Sequence, residues 1–173
     1  MRWLTLVGLI VAAVPAAGSA QDVQWIRQFG SAAQDRAFAI AVHAPGLYVA
    51  GATQGALPGQ RHAGELDAFV RKYDVHGAEA WTRQFGTPGI DEILAVAVDE
   101  SGIYVASDTQ GDLRGGNRAV GVAHAFMRKY DLHGAEVWTR ECGSGRREEV
   151  LAIAASATAV YDVRRHSGLC STL

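Results

Sequence analysis

The chain repeats itself, and the repeat restricts its fold more than any single motif does. Trp25-Ile-Arg-Gln-Phe-Gly30 returns as Trp81-Thr-Arg-Gln-Phe-Gly86 and again as Trp138-Thr-Arg-Glu-Cys-Gly143, at steps of 56 and 57 residues. Asp67-Ala-Phe-Val-Arg-Lys-Tyr-Asp74 returns as His124-Ala-Phe-Met-Arg-Lys-Tyr-Asp131, and Leu47-Tyr-Val-Ala-Gly51 as Ile103-Tyr-Val-Ala-Ser107. A tandem unit of this length is a supersecondary module that buries its apolar faces against its neighbours.

Each unit reads as four short strands. In the second copy the first is Trp81 to Phe85, where Trp81, Arg83 and Phe85 share a face at the period of two. The second is Leu94 to Val98, the third Ile103 to Ala106 after a turn at Ser101-Gly102, and the fourth His124 to Tyr130. The turn Asp131-Leu-His-Gly134 leads into the next unit, with Asp first and Gly fourth as type I turns prefer. Phe38-Ala-Ile-Ala-Val42 and Ile93-Leu-Ala-Val-Ala-Val98 do not alternate apolar with polar, which predicts strands buried on both faces. A stack of sheets supplies that environment. Glycines and turn signals leave no window of helical length.

Taken together, Trp-x-Arg-Gln-Phe-Gly, a following Asp, an apolar strand, Tyr-Val-Ala-Gly and Asp-Ala-Phe-Val-x-Lys-Tyr-Asp resemble the SBBP repeat, a β-propeller repeat of secreted and surface proteins of bacteria. The resemblance spans Trp25 to Tyr161. It implies an all-β fold of tandem four-stranded antiparallel blades and an exported location, and it implies no activity. Departures are His124 in place of Asp, Cys142 in place of Phe, and everything after Tyr161. Propellers use roughly four to eight blades, so two units and part of a third leave an incomplete ring. Open blade faces then predict self-association.

The domain reading follows: signal peptide 1–20, first blade repeat 21–80, second 81–137, partial third 138–161 and an aberrant tail 162–173. Arg2 gives the signal a positive start, Leu4 to Val14 its apolar region, and Gly18-Ser19-Ala20 the small residues before cleavage. No membrane span is expected after cleavage, and the location is extracellular or periplasmic. With a formal net charge of −2, bulk electrostatics argue against a nucleic-acid partner. Two cysteines, Cys142 and Cys170, do not make a disulfide-stapled scaffold, and their pairing is left open.

Residues present in every unit read as structural: Trp25, Trp81 and Trp138 as packing aromatics, Asp35 and Asp91 (with Glu148 in the third copy) as turn-holding acceptors, Asp74 and Asp131 as turn residues. An ion site at the first aspartates and a sugar-stacking role for the tryptophans are the alternatives. The six histidines lack metal-ligand spacing, and no nucleophile elbow, phosphate loop or paired catalytic carboxylate occurs. No cofactor is expected. The units differ most between the third and fourth strands, where the connection carries Arg61, His62 and Glu65 in one copy and Arg114, Asn117 and Arg118 in the other. Loops on one face of a rigid repeat array are where binding residues collect. The leading expectation is a secreted or surface scaffold that binds a protein or polysaccharide not identified by the sequence. The alternatives are a fragment of a propeller enzyme (lyase or quinone-dependent dehydrogenase) and a truncated product without function.

The tail suggests a frame error. Leu151, Ile153, Val160 and Tyr161 keep register with Leu94, Val96, Ile103 and Tyr104, and then Asp162-Val-Arg-Arg-His-Ser-Gly168 replaces the expected strand. The sixteen basic residues include only two lysines, Lys72 and Lys129, which fits a GC-rich gene. Read one base later, codons for Val163 to Leu169 can encode Ser-Gly-Asp-Thr-Gln-Gly, close to the segment ending at Gly111. A divergent natural tail is the alternative.

Overall fold

The computed structural model describes residues 23–116, 121–142 and 148–166. The signal-peptide assignment, Asn117, Arg118 and Cys170 lie outside the described residues. Every regular element among those described is a β-strand: β1 (Asp35–His43), β2 (Gly46–Thr53), β3 (Asp67–Asp74), β4 (Glu79–Phe85), β5 (Ala95–Asp99), β6 (Gly102–Thr109), β7 (His124–Tyr130), β8 (Glu136–Cys142), β9 (Glu148–Ser156) and β10 (Ala159–His166). They form antiparallel sheets in the orders β1-β2-β3-β4, β5-β6-β7-β8 and β9-β10. No sheet closes on itself.

The sheets are out of phase with the sequence repeat. The Trp81 strand, read above as the first strand of a unit, is the last strand of the sheet before it: β4 pairs β3, with Lys72 opposite Trp81 and Ala68 opposite Phe85. The cause is the tight turn. Asp74 Oδ1 accepts from the backbone N–H of His76 and Ala78, both at 2.8 Å, and Gly77 closes the reversal at φ +77°. So short a connection makes the flanking strands antiparallel neighbours. Asp131 does the same before β8, through His133 and Ala135. In each case the backbone donors hold the carboxyl below the usual range, the N–H of Ala78 or Ala135 contributing most.

The sheets stack through their first strands, β1 on β5 and β5 on β9. Strand alternation sets the contact. Ala39, Tyr48, Ala50, Ala68 and Val70 of the first sheet meet Val96, Val98, Ile103, Val105, Phe126 and Tyr130 of the second. The opposite face of the second sheet presents Ala106, Ala125 and Met127 to Val150, Ile153 and Val160 of the third. β5 thus sits between two sheets, as its unbroken apolar run requires. β1 does not: no sheet precedes it among the described residues, and Ile40 and Val42 are 64% and 78% exposed. The tail residues Asp162 to His166 belong to β10, where Asp162 pairs opposite Ile153 and bonds Arg164.

Residues 23–30 run along the outer face of the first sheet without strand pairing. There they repeat what β4 does to the second sheet. Phe29 meets Phe69 edge to face at 5.5 Å as Phe85 meets Phe126 at 5.9 Å. The Trp25 indole N–H donates to the Val75 carbonyl as Trp81 donates to Leu132, and the Arg27 Nε–H donates to Gly77 as Arg83 does to Gly134, both at 2.7 Å.

Candidate functional site

The two long connections, β2–β3 and β6–β7, leave the same end of successive sheets and are built on a buried polar frame. In the first, Asp67 is fully buried. Its carboxylate accepts from the N–H of Ala63 (2.8 Å) and Gly64 (3.1 Å) and from Gln84 Nε2 (2.8 Å), with His62 Nδ1 at 3.3 Å. Gln84 also ties the loop directly, accepting from Leu57 N–H at 2.9 Å and donating to the Gly55 carbonyl at 3.0 Å. Buried acceptors satisfied this fully stiffen a loop that has no strand pairing of its own.

The frame crosses to the next sheet at Asp91. This buried carboxylate accepts from the N–H and hydroxyl of Thr87 at 2.5 and 2.8 Å and from the Thr109 hydroxyl. Asp91 N–H donates to the Leu66 carbonyl at 2.8 Å, stitching one loop to the next sheet. Burial pushes the Asp91 carboxyl above its ordinary value, and the Thr109 and Thr87 donors and the charge of Asp67 only modify that rise. Gly86 lies between the two acids, where a Cβ would fall 2.5 Å from Asp67 Oδ1 and 3.1 Å from Asp91 Oδ2. Only a residue without a side chain lets both approach the backbone there. Asp35, the equivalent of Asp91, accepts from Ser31 N–H at 2.7 Å.

The second connection differs chemically. His124 stands where Asp67 stands and Glu141 where Gln84 stands, so the carboxylate moves to the other strand while the loop bond is kept: Glu141 Oε1 accepts from Leu113 N–H at 2.6 Å as Gln84 accepts from Leu57. Arg114 is exposed, its N–H capping onto Asp112 Oδ1 at 2.9 Å. With Asp112, Gly116 and Glu141 it lines an open cleft of about 290 Å³. A second cleft of about 340 Å³ is lined by Asp108, Gln110, Gly121, Val122 and Ala123.

Of the loop residues singled out by sequence, His62 is tied to the frame, while Arg61, Glu65 and Arg114 project from it. The structure thus places Arg61, His62 and Glu65 in one loop and Arg114 in the other, with no contact between the two groups among those described. Sequence reasoning missed Gln84 and Glu141. Both sit inside the repeated Trp-x-Arg-(Gln/Glu) motif, and the paired exchange of Asp67 with Gln84 for His124 with Glu141 is the signal that could have found them. Trp81 lies between the rings of Tyr48 and Tyr130, at 6.3 and 6.4 Å, which places it in the stack between sheets. Trp138 approaches Tyr104 at 6.2 Å.

Among the described residues no three His, Cys, Asp or Glu side chains come together in a group able to hold a metal ion, and no helix is long and apolar enough to cross a membrane. Neither a family model nor a curated protein matches the chain.

Proposed function

We propose that this is an exported β-propeller-type repeat protein that acts as a binding scaffold, presenting its β2–β3 and β6–β7 connections to a protein or polysaccharide. One observation carries the reading. Two equivalent loops are anchored at one end of a rigid stack by a polar frame, yet they differ in the side chains that project. Anchors at equivalent positions with variable tips are how repeat scaffolds diversify recognition. The stacking of β1, β5 and β9 in chain order supports successive blades, as does the resemblance of the repeat to the SBBP unit.

The test replaces Arg61, His62, Arg114 and Arg118 together with alanine and compares the variant with the parent on an array of bacterial polysaccharides and against surface extracts. The reading expects ligands of the parent to weaken at least about tenfold, as the loss of several polar contacts would cause. Undiminished binding by the variant would remove the loop face from consideration.

A further inference from the structure

The two outer faces of the stack match each other. Inside the chain one contact is made twice. In the first instance Ala39, Ala41, Tyr48 and Ala50 form the face of β1-β2 that covers Val96, Val98, Ile103 and Val105 of β5-β6. In the second, Ala95, Ala97, Tyr104 and Ala106 form the face of β5-β6 that covers Ile153, Ala155, Val160 and Asp162 of β9-β10. Small residues and one tyrosine lie on the giving face, and mostly branched residues on the receiving face.

Each terminal sheet keeps one half of this pair uncovered among the described residues. The first sheet leaves the receiving half uncovered: Ile40 (64%) and Val42 (78%) are exposed, Leu47 and Val49 are half-buried, and Ile40, Leu47 and Val49 border a cleft of about 590 Å³. The third exposes the giving half, Ala152, Ala154, Tyr161 (63%) and Val163 (60%). Residues 25–29 already hold against the first sheet the place that β4 holds against the second. What is absent there is a layer of first, second and third strands, and β9-β10 supplies the first two of them.

We propose that a second copy of this chain occupies the first sheet's outer face, its Ala152, Ala154, Tyr161 and Val163 seated on Ile40, Val42, Leu47 and Val49. The contact is heterologous, since two different surfaces meet, and it propagates head to tail into a ring or a filament. It is a stacking of sheet faces. Apolar area is its driving force, so salt leaves it intact or strengthens it.

The experiment uses the full chain, expressed with its own N-terminus, and sedimentation velocity over a hundredfold concentration range. The parent is expected to show species of two or more chains that grow with concentration. Ile40→Glu damages the receiving face and Tyr161→Glu the giving face. Both sites are exposed, and urea unfolding checks that each variant remains folded. Each variant alone is expected to sediment as one chain, and a mixture of the two is expected to recover a two-chain species, because every such pair retains one intact face of each kind. A parent that stays a single chain overturns the proposal. So does assembly lost in only one variant, which would mean one face pairing with itself, assembly surviving in both, or a mixture that recovers nothing.

Discussion

The guanidinium carbon of Arg128 lies 3.9 Å from the ring centre of Phe85, a residue of the neighbouring sheet. Arg128 is buried, and its Nε–H donates to the Thr139 hydroxyl at 2.6 Å while Nη1 stands 3.3 Å from Glu136. Arg71 repeats the arrangement on Phe29 (4.0 Å), Thr82 and Glu79. A buried cation therefore bridges two sheets at Phe85 and ties the unpaired segment 23–30 to the first sheet at Phe29, held more by the ring and the hydroxyl than by its half-exposed acid.

That division of labour can be measured. Truncating Arg128 to alanine removes packing, the cation–π contact and a charge-assisted bond, and is expected to cost about 2–4 kcal/mol. Glu136→Gln touches only the 46%-exposed partner and is expected to cost under about 1 kcal/mol. Urea unfolding of the two variants decides it: equal losses would mean the ion pair, and not the ring, holds Arg128.

Asp91 and the turn aspartates should respond to pH with opposite signs. Asp91 is raised by burial above the ordinary 3.8, so the folded state favours its protonated form. Its contribution is fully present below the ordinary carboxyl value and is lost as pH rises through the raised one. Asp74 and Asp131 are lowered by backbone donors; their contribution is present above 3.8 and is lost as pH falls through the lowered values. Unfolding free energy measured from pH 2 to 8 is therefore expected to decline less toward neutral pH in Asp91→Asn than in the parent. In Asp74→Asn with Asp131→Asn it should decline less toward acid. Parallel curves for all three proteins would contradict both assignments.

Gly59 and Gly134 separate backbone strain from crowding. Both have positive φ, +74° and +82°, but a Cβ at Gly59 meets nothing within 4 Å, whereas at Gly134 it would fall 2.8 Å from the Trp81 ring. Gly59→Ala is expected to cost about 1 kcal/mol for the left-handed conformation alone. Gly134→Ala should cost roughly 1–3 kcal/mol more, because Trp81 must leave its place between Tyr48 and Tyr130. Thermal unfolding gives the costs, and a change in indole emission in Gly134→Ala alone identifies the displaced ring. Equal costs would mean that the Trp81 contact carries no stability.

Local rules made much of this architecture legible. The alternation of Trp81, Arg83 and Phe85, the Asp74 and Asp131 turns, and the absence of polar residues from the second strand are short-range patterns, written in neighbouring residues. The sites were less legible. Arg61 and His62 stand out because they vary between copies, whereas Gln84, which anchors their loop, is hidden by its place in a repeated motif.

By itself the sequence determined most of the strands and their recurrence, since period-two patterning and turn chemistry act over a few residues. Tertiary structure alone decided that the Trp81 strand closes the sheet before it, that Asp67 and Asp91 converge on Gly86, and that one sheet face at each end is left uncovered among the described residues. These are pairings between distant segments. A tandem repeat gives a strand the same residues in each copy, and which neighbour covers it follows only from its position in the stack.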